Sequence, residues 1–483
     1  MVPQSPIVRC RTRHLLKVPR NYILFFFRKR EFTMKRIVAL LLAAMMMVVV
    51  FASCGDSKGG ETSSTNSGSG SSEGQTFKNA GKGFDANVSD ADFGDEKDAT
   101  LKVWGPDEYT SLLTEQCNAF KDKFAGKVKK IEVVVQSESD SATMMQNDPK
   151  AGADVFGFAS DQFTNLTNAK ILAPVNAKYA ADVEATNNKA AVEISMAKNA
   201  TTGKDALYAF PETGNGYFLV YDKRVISDKD AKTFESLLKA CQKNGKKFIM
   251  DVGNGYYACM FAFTGGLSLE GLDGSKQLFN DYDEAKVAAS LKAFSKLMHD
   301  YKGTFMTDAT AAIPSGFTST ATRPTKVGAG IDGNWDTSGI KKALGEKNFG
   351  AAKLPTINID GTDTQVVSMY GYKMVGVNAN SKFPRTAQIL AYYLASEECQ
   401  KQRAEKLGWS PTNNAVVDSD TVKNDVAISA LLAQSEFSVP QANVGSIWDP
   451  FKAMGNTLIA DETNPDSYDF KGLLEKTIKN INS

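Results

Sequence analysis

The chain has 483 residues, with 56 Lys and Arg against 55 Asp and Glu, a formal charge of +1. Ten of those basic residues but only one acidic residue, Glu31, fall in residues 1–53, so the remainder holds 46 basic and 54 acidic residues, near −8. An acidic body excludes nucleic acid and anionic membrane surfaces as targets, because both select a basic face.

Residues 1–33 crowd Arg9, Arg11, Arg13, Lys17, Arg20, Arg28, Lys29 and Arg30 around an apolar stretch at 23–27. A normal n-region is far shorter, so this stretch reads as an upstream extension, with Met34 as the start; a long basic n-region is the alternative. From Met34 the sequence runs MKRIVALLLAAMMMVVVFASC. Lys35 and Arg36 form a positive n-region, residues 37–52 an uncharged apolar run, and Ala52-Ser53-Cys54 a small-residue cleavage point after Ser53. A cysteine there, followed by a polar tract, resembles a bacterial lipoprotein signal. The resemblance implies that Cys54 is lipidated (a palmitate-bearing N-terminus) and that the protein is exported and held on the outer face of the cytoplasmic membrane. A plain signal peptide or a single membrane anchor is the alternative.

Residues 55–74, GDSKGGETSSTNSGSGSSEG, are almost free of apolar side chains and cannot build a core. Such a tract spans about 25 Å root-mean-square. Residues 75–98 remain polar, so 54–98 reads as one loosely ordered tether. The folded body then opens with a strand at 99–104, a helix at 109–124 and strands at 131–135 and 153–158. Further strands are expected at 248–251 and 327–332, a helix at 283–300, and one long helix at 383–407 between Pro384 and Gly408. The last 80 or so residues read as mainly helical. Strands alternating with helices predict an α/β fold with a largely parallel sheet. No second apolar span follows residue 54, so the chain is not a permease.

Cys117, Cys241, Cys259 and Cys399 are far apart, lack a CxxC pattern, and sit in apolar or helical contexts, as small buried hydrophobes do; one or two disulfides in an exported protein are the alternative. Once His14 is removed, His299 is the only histidine, which excludes a zinc site built on two or three of them. No GxSxG accompanies it, and no P-loop or EF-hand pattern occurs, so neither metal nor cofactor is expected. Paired carboxylates for glycoside hydrolysis remain open, since many acidic pairs exist and no spacing singles one out.

The four tryptophans stand where loops leave regular elements: Trp104 in VWGPDEY, Trp335 in DGNWDTSG, Trp409 in LGWSPTN and Trp448 in SIWDPF. Flat aromatic faces beside carboxylates and amides suit a sugar, whose C–H faces stack while its hydroxyls pair with Asp, Asn or Glu. The alternative for each is packing at a domain edge. Ser160-Asp161-Gln162-Phe163, Pro211 to Tyr217, Asn254-Gly255-Tyr256-Tyr257 and Met369-Tyr370-Gly371-Tyr372 repeat this chemistry.

Residues 99–483 resemble the extracellular solute-binding proteins of ABC importers, in the maltose/maltodextrin-binding branch. LKVWGPDEY, ADVFGFASDQF, YAFPETGNGYFLVYDKRV, GAGIDGNWDTSGI, IWDPF and the long stretch from GYKMVGVNANSKF to GWSPTNNAVV carry the likeness. The resemblance implies a two-lobed periplasmic-binding-protein-like fold with a hinge and an interlobe cleft. Residues 99–213 and 352–397 would form the N-terminal lobe, and 214–351 and 398–483 the C-terminal lobe. It places ligand contacts on Asp107, Glu108, Asp161, Asn215, Tyr256, Tyr257, Trp335, Tyr370, Trp409 and Trp448. Ala159 and Asn215 depart from the aromatic and acidic residues of maltose binders. The expected protein is a monomer that takes an oligosaccharide to ABC permease subunits, touches the membrane only through its lipid, and performs no chemical step. An exported carbohydrate-active enzyme and a receptor for a non-sugar solute are the alternatives.

Overall fold

The computed structural model describes residues 77–274, 276–307, 310, 312–318 and 326–483. Cys54, the apolar segment before it and the Gly/Ser tract lie outside these residues. Among the described residues, no helix is long and apolar enough to cross a membrane.

Ten strands form one sheet through two lobes; eight lie on a continuous path, and two short ones, Phe349–Ala352 and Ser438–Pro440, pair off it. In the first lobe, Ala99–Gly105 pairs in parallel with Val128–Val135 on one side and with Val155–Ala159 on the other. In the second, Lys247–Ile249 pairs in parallel with Phe305–Met306 and with Val327–Gly333. Two long strands, Ala209–Asp222 and Ser368–Val377, run antiparallel between these sets and join them. The sheet is thus parallel within each lobe and antiparallel at the crossing, where the sequence pattern predicted a largely parallel one throughout.

Alternation explains why the first crossing strand is buried along all 14 residues. Successive side chains point to opposite faces. Tyr217, Leu219 and Tyr221 enter one core of the second lobe, while Phe218 and Val220 enter the other. The first lobe is layered likewise: Val103, Val155 and Val375 face one helical layer, and Trp104, Phe156 and Met374 the other. The Pro211–Tyr217 segment is itself part of this strand, which crosses between lobes.

Three further expectations are corrected. Residues 84–98 are not a loose tether: Phe84 and Phe93 are buried in the first lobe's core, and Asn87 donates to Asp182 at 3.1 Å. Two aromatics are enough to pin a segment that is otherwise polar. The single helix at 383–407 is two helices, Pro384–Leu394 and Glu397–Leu407, because Ser396 caps a new N-terminus and accepts the Cys399 N–H. Residues after 397 stay with the first lobe at first, since Cys399 and Trp409 sit in its core. The chain has joined the second lobe by the helix Val426–Ser435, which buries Ala427, Ala430 and Leu431 there. All four described cysteines are free and buried.

Candidate functional site in the interlobe cleft

The two crossing strands floor a cleft. On the second strand Tyr370 and Tyr372 alternate with Gly371 and Lys373, and Lys373 is buried on the opposite face. There it pairs with Glu138, and both side chains are almost fully buried. Its ammonium also lies 4.7 Å from the Trp409 ring centre and 5.7 Å from that of Trp335. Burial, opposed by Lys373, pushes the Glu138 carboxyl up to about 7.

Trp335 comes from the second lobe. The strand Val327–Gly333 ends there, and a single turn, Asn334–Asp336, carries the ring over the cleft. Asn334 anchors that turn to the first crossing strand: its amide donates to Gly214 O at 3.1 Å and its oxygen accepts the Gly216 N–H at 3.4 Å. The ring folds back so closely that a Cβ on Gly333 would lie 2.2 Å from it. Trp335 packs against the cores of both lobes. Beside it, Asp332 is fully buried and its Oδ2 meets no described donor. Burial first, then neighbouring Asp336, raises its carboxyl well above the ordinary range. Asp336 is raised by burial and by Glu108, which faces it from the first lobe.

Trp335, Tyr256 and Trp448 form an aromatic wall. The Tyr256 ring lies 6.2 Å from Trp335, tilted to it, and 6.0 Å from Trp448, edge-on to it. Tyr257 lies beneath Tyr256, buried against Tyr217. A close approach sets this wall: a Cβ on Gly255 would sit 2.0 Å from the Trp448 carbonyl oxygen, so only glycine lets the two helix starts meet.

Across from the wall stands Asp161, within hydrogen-bonding reach of the Trp448 side chain. Gln441 donates to Asp161 at 3.0 Å and accepts from Asn215 at 3.2 Å. Its backbone N–H bonds Tyr370 O at 2.7 Å, and its carbonyl accepts the Ser160 hydroxyl at 2.6 Å. Gln441 therefore ties both crossing strands to the Asp161 turn. Burial outweighs these bonds and pushes the Asp161 carboxyl up to about 6.

Of the expected contacts, the structure brings together Glu108, Asp161, Asn215, Tyr256, Tyr257, Trp335 and Trp448. Asp107 is exposed on the first turn of its helix. Tyr370 points to the back of the crossing strand, opposite Lys373, where with Tyr372 it lines a separate cavity of about 600 Å³. Trp409 is 1% exposed and packs on Tyr109 in the first lobe's core. Its place follows from Gly408, whose left-handed φ of 71° ends the helix and turns the next apolar residue inward. Glu138, Lys373, Asp332, Asp336, Asn334 and Gln441 were not singled out from the sequence. Asp332, Asn334 and Asp336 flank Trp335 in DGNWD, which was the available signal. Lys373 and Gln441 stand in apolar or featureless runs.

The bacterial extracellular solute-binding protein family model matches residues 115–430. The galactooligosaccharide-binding protein of Bacillus subtilis is 26% identical over 383 residues, 76% of this chain and 86% of that protein. The maltotriose-binding protein of Pyrococcus abyssi is 23% identical over 361 residues, covering 72% and 74%. A structure solved with acarbose is 27% identical, covers 80% of this chain and 98% of that one, and superposes with a TM-score of 0.68. The Thermus thermophilus maltotriose-binding protein shares the fold at 20% identity and a TM-score of 0.61, covering 79% and 98%. A two-lobed body with an aromatic and carboxylate-lined cleft, matched along most of its length by these proteins, belongs to the bacterial extracellular solute-binding protein family, whose members bind and do not catalyse.

Proposed function

We propose that the protein captures an oligosaccharide in this cleft and delivers it to the membrane subunits of an ABC importer. The carrying observation is the wall of Trp335, Tyr256 and Trp448 set against Asp161, Asp336 and Glu108. Stacked rings take the C–H faces of pyranoses, and carboxylates and amides take their hydroxyls. Because the wall and Asp161 come from different lobes, ligand contacts are completed only when the lobes close, which is how binding would drive a hinge motion. The names of the relatives, which bind galactooligosaccharide and maltotriose, support a glycan of one of these two kinds. Cys54 is the proposed lipid attachment, with residues 55–76 as the leash that keeps the lobes near their permease.

A thermal-shift screen of residues 77–483 against maltose, maltotriose, longer maltodextrins and galacto- and xylo-oligosaccharides tests this. Ligand at about 100 times its dissociation constant adds roughly 2.7 kcal/mol and moves the midpoint by several degrees. A shift with one glycan series supports the reading and names the cargo. Silence across the panel overturns it.

A further inference from the structure

Lys373 is an unusual residue to bury. Its side chain is 6% exposed and that of its partner Glu138 9%. A buried ion pair is weak support for a fold, since a well-packed apolar pair of like volume is often as stable or more so. Val375, next along the same face of the strand, enters the first lobe's core, so an apolar residue would suit position 373 as well. Stability does not account for the lysine, but its neighbours do. They come from both lobes. Glu138 opens a helix of the first lobe, and Trp409 is packed on Tyr109 in that lobe's core. Trp335 and Asp336 belong to the turn of the second lobe. The ammonium lies 4.7 Å from the Trp409 ring centre and 5.7 Å from that of Trp335, and it offsets part of the rise in the Asp336 carboxyl. One cation is thus shared by an indole and a carboxylate of each lobe, and it attracts both lobes to one point. The backbone is irregular here too. Lys373 pairs with Thr213 and Met374 with Pro211, which leaves Glu212 as an extra residue in the first crossing strand. Such a bulge bends its strand and re-aims the side chains beside it.

We infer that Lys373 is a positioning residue for ligand capture: it holds the Trp335 turn of the second lobe against the first lobe and so favours the closed arrangement, without touching the ligand. The effect on glycan affinity rests on the cleft reading above; the attraction between the lobes does not. Because ligand contacts are complete only in the closed form, affinity falls in proportion to the closed fraction that is lost with the cation. The factor is the same for every glycan the cleft binds, since Lys373 is buried beneath the rings and meets none of them.

The test compares wild type with the double variant Lys373→Met/Glu138→Gln, which keeps both side-chain lengths and strands no charge, and with Lys373→Arg, which keeps the cation. Three readouts are taken: calorimetric titration with each glycan that wild type binds, urea unfolding, and amide hydrogen exchange of residues 333–337 in the ligand-free protein. The double variant should unfold at the same urea concentration as wild type or a higher one. It should bind every such glycan about tenfold more weakly, and its turn should exchange several-fold faster. Lys373→Arg should stay closer to wild type in affinity and in exchange. The inference is overturned by a double variant within twofold of wild type in both, by a loss that strikes one glycan and spares another, or by an equal loss in Lys373→Arg. If wild type binds no glycan, the cleft reading falls, and the exchange comparison alone upholds or overturns the role of Lys373.

Discussion

Replacing Trp335 by alanine tests the cleft most specifically. The ring is half-buried, lies 6.2 Å from Tyr256 and 5.7 Å from the Lys373 ammonium, and packs against both lobes. Loss of one sugar–aromatic stack should cost about 1–3 kcal/mol, by analogy with base–aromatic stacking. That is roughly a 5- to 150-fold weaker dissociation constant. The Lys373 contact adds a share, since a desolvated cation over indole is worth up to about 2 kcal/mol, but it is felt in closure and overlaps the first term. Folding stability should fall by less than the ~3–5 kcal/mol of a fully buried tryptophan. Calorimetric titration and urea unfolding of the ligand-free protein separate these two effects. A folded Trp335→Ala protein that binds within twofold of wild type would refute the assignment of Trp335 to the ligand.

Other substitutions give different signatures. Trp409→Ala should show the reverse pattern, losing about 3–5 kcal/mol in urea unfolding while the folded protein keeps its glycan affinity. Glu212→Ala should cost about 3–5 kcal/mol in the same assay, because it strands Arg403, 1% exposed and paired with Glu212 at 3.0 Å, without its carboxylate. Gly255→Ala should weaken glycan binding at least as much as it lowers the melting point, because the added Cβ must displace the Trp448 backbone. The pH dependence has a fixed sign. Glu138 and Asp161 are raised to about 7 and about 6, so over that range the folded protein holds protons that the unfolded chain has released. Their contribution to stability is therefore fully present only below the ordinary carboxyl range, and is lost as pH rises through about 6 for Asp161 and about 7 for Glu138. Asp161→Asn should flatten part of the melting-point decline between the ordinary aspartate range and about pH 6, and an unchanged slope there would contradict it.

Much of this architecture is legible in the sequence, and the gaps have physical causes. The strand at 99–105 and the helix after it show plain apolar periodicity, and both form. The crossing strand Ala209–Asp222 is harder to recognise, because Glu212, Thr213 and Asn215 read as loop. They are tolerated in a buried strand because each has a distant partner: Arg403 for Glu212, Ser410 O for Thr213 and Gln441 for Asn215. Local sequence does not encode such partners. The same holds for Lys373, whose burial depends on Glu138 and on two tryptophans from other segments. Trp335 and Trp448 stand out in the sequence because aromatic residues beside Gly, Asp and Pro in turns are unusual. Trp409 shares that setting for another reason, as the apolar residue that follows a glycine helix cap. The strap at 84–98 is hidden because two phenylalanines in a polar run carry no period.

The most direct measurement is an isothermal titration of residues 77–483 with maltotriose and with a galactosyl trisaccharide, followed by analysis of the recovered sugar. The account predicts saturable binding of at least one of them to a single site in the cleft, with the glycan recovered intact. No heat from either glycan, or from longer members of their series, with a protein that melts cooperatively would contradict it, and so would the appearance of new reducing ends.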